Sequence, residues 1–183
     1  TVDGSGKYLI PGLWDVHVHL SGGRGRGGPD FDAGIGALHG FVYSGITSIF
    51  DAGNNPDFTL SLRQREREGE IVSPRIFATG PLVTTPGGHG GGRGMTLIDS
   101  WPEAREALDA HIELQPDMVK FTFDEHGWGT RPLIPLLDPD LMARTGRYFN
   151  EHGIRTTVHI SHEYRAIQAI EAGIDTLAHP IIQ

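Results

Sequence analysis

Two histidines one residue apart, His17 and His19, lie in the stretch Tyr8-Leu-Ile-Pro-Gly-Leu-Trp-Asp-Val-His-Val-His-Leu20. On a β-strand, side chains alternate faces with a period of two. Asp15, His17 and His19 therefore share one face, and Val16, Val18 and Leu20 share the other. Two imidazoles about 7 Å apart along a strand can turn toward one metal ion. The apolar face suits a sheet lying under helices. A His-X-His pair weighs little by itself, so what matters is whether later segments aim further ligands at the same point.

Three of them do. In Asp117-Met-Val-Lys-Phe-Thr-Phe-Asp124 the apolar face is Val119, Phe121 and Phe123, so Met118, Lys120, Thr122 and Asp124 point the other way, inward. Arg155-Thr-Thr-Val-His-Ile-Ser161 sets Thr157, His159 and Ser161 against Val158 and Ile160, and Thr176-Leu-Ala-His-Pro180 ends on His179. An inward lysine is paired with a carboxylate, neutral, or modified, because burying a lone charge costs several kcal/mol. The ion-paired lysine is one reading. In the other, burial favours the neutral amine, which takes up CO2 to give a carbamate, an anionic oxygen ligand able to bridge two metal ions.

The elements that must position these groups follow a regular order. Helical patterns at Phe31–Ser44, Asp57–Gly69, Ser100–Gln115, Pro139–His152 and Glu163–Ala172 alternate with strands at Ile46–Gly53, Pro74–Thr85, Met118–Asp124, Arg155–Ser161 and Asp175–Pro180. The Ser100 helix opens on a Ser-x-x-Glu capping box with Pro102 in its first turn. Strands alternating with helices predict βαβ units and a parallel sheet. An open doubly wound sheet usually carries a glycine fingerprint after its first strand. Here that strand ends in histidines, which favours a barrel. The predicted class is α/β, with about six of the eight units of a (β/α)8 TIM barrel, since a complete one needs about 250 residues. The histidines sit at strand C-terminal ends, where such barrels place their chemistry. Residues 8–183 then form the barrel domain, and Thr1–Lys7 a linker or the remnant of an N-terminal β-sandwich.

Two glycine-rich loops stand out, Ser21–Asp30 and Thr85–Gly94. The first reads either as a connector or as a substrate-facing loop. The second contains no Gly-Lys-Ser/Thr, so it is not a phosphate-cradling loop. The charged run in Asp57–Gly69 reads as a solvated helix face.

Composition narrows the classes. Fifteen Lys and Arg against 23 Asp and Glu give a net charge of −8, which argues against nucleic acid or an anionic membrane as the main partner. No apolar run approaches the roughly 18 residues of a membrane span, and no signal peptide is visible at Thr1, so the cytoplasm is the default compartment. With no cysteine there is neither a disulfide framework nor a thiolate metal site.

Pro11-Gly-Leu-Trp-Asp-Val-His-Val-His19, Lys120, Val158-His159 and Ala172-Gly-Ile-Asp-Thr-Leu-Ala-His179 together resemble the metal-dependent amidohydrolase superfamily. Within it the chain is similar to the branch of imidazolonepropionase-like hydrolases, Xaa-Pro and Xaa-Arg dipeptidases and ochratoxin-degrading amidases. The resemblance implies a distorted (β/α)8 barrel, often with a small β-sandwich. It implies His17 and His19 as ligands of the more buried of two divalent ions, Lys120 as the carboxylated bridge, and His159 and His179 as ligands of the second. Imidazole and carboxylate-type ligands suit Zn2+ and also admit Mn2+ and Co2+. The Gly87-Gly-His-Gly90 segment resembles a loop beside the site, making His89 a substrate contact and the nearby Arg93 a further candidate. Arg24, Arg26 and the Asp124–Trp128 loop are additional candidates for a carboxylate or aromatic group. His162 is ranked as a non-ligand.

The implied reaction is hydrolysis of an amide or peptide-like C–N bond in a small molecule or dipeptide, by a hydroxide bridged between the metals. The family's acid/base aspartate ends strand eight. No residue here matches it, and neither Asp51 nor Asp124 occupies that position. The 183-residue chain is therefore expected to be inactive alone, and to work as a homo-oligomer or when completed by the rest of its own chain. The rival readings are a mononuclear ring hydrolase or deaminase, against which an inward Lys120 argues, and a phosphotriesterase-like hydrolase.

Overall fold

The computed structural model describes residues 1–23, 28–101, 103–127 and 132–181. Arg24, Arg26, Pro102 and Trp128 lie outside these.

Eight strands and five helices are described: β1 Leu13–Val18, α1 Phe31–Tyr43, β2 Ile46–Asp51, α2 Pro56–Arg67, β3 Arg75–Ala78, β4 Leu82–Thr84, β5 Thr96–Leu97, α3 Glu103–Glu113, β6 Val119–Thr122, α4 Pro139–Glu151, β7 Thr156–His159, α5 Glu163–Glu171 and β8 Thr176–Leu177. Local chemistry sets the helix starts. Asp30, Asn55 and Asp138 each accept a backbone N–H of the first turn, and Pro56 and Pro139 occupy first helical positions, where a missing N–H costs nothing.

All described pairings are parallel, in the orders β1-β2-β3 and β5-β4-β6-β7-β8. The predicted third strand, Pro74–Thr85, is thus two. Gly80, at φ +69°, breaks it, and Pro81 has no N–H to continue the ladder. β3 stays with β2 while β4 pairs with β6. The Asp117 N–H donates to the Ala78 carbonyl at 2.9 Å, stitching the two sheets into one wall. The short β5, just past the second glycine loop, was not predicted.

Helices cover the outside of this wall. Val119, Phe121, Phe123, Val158 and Ile160 join Phe149, Met142 and Leu108 in the larger core cluster. Leu20, Leu38, Ile49, Phe58, Leu62 and Ile76 form the smaller one. The alternation on β1 is covered only in part. Leu20 is buried and Val18 packs against the smaller cluster, but Val16 is 67% exposed. A register shift between Asp15 and Val18 and the sheet-edge position of β1 leave its start uncovered. Residues 1–12 carry no strand or helix.

Candidate metal centre

The inward face of the wall is polar and buried. Pairing of Lys120 with Thr157 and of Thr122 with His159 sets β6 and β7 in register, so Lys120, Thr122, Thr157 and His159 fall on one side. All four are at most 8% exposed. One residue past β8, the Ala178 N–H donates to the Val158 carbonyl at 2.9 Å, which places His179 beside His159.

A cavity of about 420 Å3 opens over these residues, lined by His17, His19, His89, Lys120, His159 and His179 along with glycines of the second loop. The structure therefore brings together all five sequence-predicted ligands and His89. The His17 and His19 rings stand 5.3 Å apart, His17 and His179 5.6 Å, and His159 and His179 4.7 Å. Arg93 is exposed and does not line the cavity. His162 bonds Ser161 Oγ at 2.8 Å and packs its ring on His126, away from the cavity lining.

Backbone carbonyls aim the first two imidazoles. His17 Nδ1 lies 2.8 Å from the Ala178 carbonyl, and His19 Nδ1 lies 2.7 Å from the Gly53 carbonyl. A carbonyl oxygen only accepts, so each Nδ1 carries the proton and each Nε2 keeps its lone pair. His17 Nε2 in turn accepts from Lys120 Nζ at 3.0 Å. An imidazole is thus one partner of Lys120.

The same reasoning on the other pair reveals an electrostatic demand. His159 Nε2 lies 3.3 Å from Asp124 Oδ2, and His179 Nδ1 lies 3.0 Å from the Pro180 carbonyl. Both outer partners accept, so both outer nitrogens are protonated. The two inner nitrogens, His159 Nδ1 and His179 Nε2, then face each other at 2.6 Å with lone pairs. Two nitrogens at that distance have a proton or a metal ion between them. Protonation is disfavoured here: burial, then the neighbouring His89, His179 and Lys120, pull the His159 pKa well down. Burial likewise lowers His17 and His89. Neutral imidazoles with converging lone pairs fit a divalent metal ion.

Sequence reasoning noted Asp124 as a strand-end residue and as the start of a candidate substrate loop, without placing it among the metal ligands. Its side chain is fully buried, and together with His89 and His159 it forms a group whose ligand atoms lie within 4.8 Å of one another, a group that could hold a metal. His89 Nδ1 is 3.9 Å from Asp124 Oδ2, and the His89 ring stacks on His159 at 4.3 Å. The inward alternation of Lys120, Thr122 and Asp124 was the available signal.

A parallel α/β barrel wall bearing an imidazole-rich site at its strand C-terminal ends has the layout of a barrel metalloprotein. The chain belongs to the amidohydrolase family, whose model matches residues 8–182. It is 26% identical over 174 residues to an uncharacterized protein of Mycobacterium tuberculosis, covering 95% of this chain and 45% of that one. Among solved structures, a prolidase complexed with N-methylphosphonate-L-proline is similar at TM-score 0.79 and 23% identity, with 96% of this chain and 49% of that one covered. Ochratoxinase from A. niger is similar at TM-score 0.74 and 20% identity, covering 92% and 47%. The chain thus spans about half the length of the relatives it matches.

Proposed function

We propose that this chain supplies the metal-binding part of a hydrolase that cleaves an amide or peptide-like C–N bond, with two divalent ions, of which Zn2+ suits the donor set. In this reading His17 and His19 hold one ion, His159 and His179 the other, and Lys120, as a carbamate, bridges them. The observation that carries it is the convergence of His17, His19, Lys120, His159 and His179 on one cavity.

The protein's own groups have separable tasks. The carbonyls of Gly53 and Ala178 keep the Nδ1 protons of His19 and His17 out of the cavity, so that the Nε2 lone pairs face in. The neutral amine of Lys120 adds through its lone pair to CO2 and loses a proton to solvent, leaving an anionic oxygen donor. His89 has no charge to offer at neutral pH, since burial disfavours its protonated form. It serves as a neutral hydrogen-bonding wall for the substrate's polar groups. Bound metal would lower the pKa of water toward about 7 and polarise the scissile carbonyl. The cavity is of a size for a dipeptide or N-acyl amino acid, a substrate class also supported by the prolidase among the fold relatives.

Activity is proposed for the full-length protein rather than for these residues alone, because the acid/base aspartate implied for strand eight has no match here. The test is metal analysis of the full-length protein after supplying Zn2+ and bicarbonate, followed by a hydrolysis screen of N-acyl amino acids and of Xaa-Pro and Xaa-Arg dipeptides. About two equivalents of zinc and turnover of one of these classes is the expected result. Less than one equivalent, or full activity in Lys120→Ala, overturns the bridged two-metal reading.

A further inference from the structure

The Asp124 carboxylate reaches the imidazole of a candidate ligand, His159, and is not among the residues that line the cavity. It ends the β6 segment four residues beyond Lys120 and on the same inward face, with its side chain fully buried. One oxygen, Oδ1, accepts the His126 N–H at 2.9 Å. The other, Oδ2, faces His159 Nε2 at 3.3 Å. His159 lines the cavity and Asp124 does not.

Two roles are open to such a carboxylate, and they exclude each other. If Asp124, His89 and His159 Nε2 held a cation, the His159 proton would move to Nδ1. It would then satisfy His179 Nε2, and neither inner nitrogen would be left for a metal. If instead Asp124 accepts a proton from Nε2, Nδ1 is freed toward His179 and the cavity. An imidazole has two nitrogens and can serve only one of these arrangements.

We propose that Asp124 is the positioning residue of His159. It fixes the Nε2–H tautomer and the ring orientation, so that Nδ1 is the metal-facing atom, and it is not itself a ligand. A carboxylate behind a ligating histidine also raises the donor strength of the imidazole. Because Oδ1 is tied to the backbone at His126, the carboxylate cannot swing away without disturbing the turn after β6. This inference rests on the reading that His159 and His179 share a metal ion.

The test uses the full-length protein labelled with 15N-histidine, loaded with Zn2+, and the variants Asp124→Ala, Asp124→Asn and His179→Ala. In the long-range 1H–15N spectrum, His159 is expected to be protonated at Nε2 and metal-bound at Nδ1. By chelator competition, zinc affinity falls about 10- to 100-fold in Asp124→Ala and by less in Asp124→Asn, whose side-chain carbonyl still accepts from Nε2. Zinc on His159 Nε2 in the unaltered protein overturns the proposal, as does unchanged affinity in both Asp124 variants. If Asp124→Ala does not fold, the Asn variant carries the test: lowered affinity with zinc still on Nδ1 supports the positioning role, and unchanged affinity refutes it. Unchanged affinity in His179→Ala would refute the parent reading instead. Loss there without loss in the Asp124 variants would refute this inference alone.

Discussion

The Nδ1–H of His17, on the first strand, donates to the carbonyl of Ala178, one residue past the last strand, across 2.8 Å. The two strands belong to different sheets and do not pair, so this bond ties the open ends of the wall together through a candidate ligand. His17→Phe keeps the ring but removes both nitrogens. It leaves the Ala178 carbonyl without its donor and Lys120 without its imidazole acceptor. Stability to urea should fall by about 1–3 kcal/mol, and zinc stoichiometry should fall with it. A variant with wild-type zinc content would show that His17 is not a ligand.

Gly53 holds the other first-strand imidazole, through its carbonyl to His19 Nδ1. Its φ is +132°, and a Cβ there would lie 2.2 Å from Leu82 Cδ2. Asp51, buried at the end of β2, accepts from the N–H groups of Gly53 and Leu20 and from the Asn54 side chain, which fixes the turn. Gly53→Ala should therefore cost about 2–4 kcal/mol by combining backbone strain with overpacking, and should weaken zinc binding by moving the carbonyl. Gly45 provides the comparison: its φ is +80° but nothing lies within 4 Å of a Cβ. Gly45→Ala should cost only about 1–2 kcal/mol and leave zinc binding unchanged. Equal effects in the two variants would remove Gly53 from the site.

The contrast between Gly53 and His19 shows where sequence reading stops. Alternation and strand-end position identified His17, His19, Lys120, His159 and His179, because side-chain chemistry is written in residue type. The carbonyls that aim His17 and His19 come from residues whose type says nothing about that task. Asp124 was legible as an inward strand-end residue, but its pairing with His159, 35 positions away, depends on the register of β6 and β7. The break at Gly80-Pro81 was overlooked because Arg75–Ala78 and Leu82–Thr84 are both apolar and strand-like. Which sheet each one joins is decided by neighbours distant in sequence. Val16 was expected under helices, and the uncovered edge of β1 overrode the pattern.

Asp117 sits at the seam between the sheets. Its carboxylate accepts from Arg63 Nη1 at 2.7 Å, from Arg67 Nη2 at 3.2 Å and from the Ala78 N–H at 2.9 Å. Arg63 is the more buried of the two arginines, at 11% side-chain exposure, so loss of its partner leaves a poorly solvated charge. Asp117→Asn should destabilise the fold by about 2–4 kcal/mol, read as a lower urea midpoint. Arg67→Ala, which removes the exposed partner, should cost below about 1 kcal/mol. A reversed order would place the seam's stability elsewhere.

His111, buried in α3, gives the fold an acid limit separate from the metal centre. Thr79 offers only a carbonyl, 3.2 Å from Nε2, so Nε2 carries the proton and Nδ1 accepts from the Thr96 hydroxyl at 3.0 Å. This neutral tautomer is satisfied and the charged one is not, and burial pushes the pKa from 6.5 down to about 4. Because the folded-state value lies below the unfolded one, the unfolded chain binds the proton more readily. The stabilisation is present in full above pH 6.5, falls as the pH drops toward 4 and levels off below that. A shift of this size corresponds to about 3 kcal/mol at most, at 1.36 kcal/mol per pKa unit. His111→Gln retains a donor for Thr79 and does not titrate, so its urea stability should be flatter than that of the unaltered chain between pH 6.5 and 4. Parallel pH profiles for the two proteins would show that His111 does not set the acid limit.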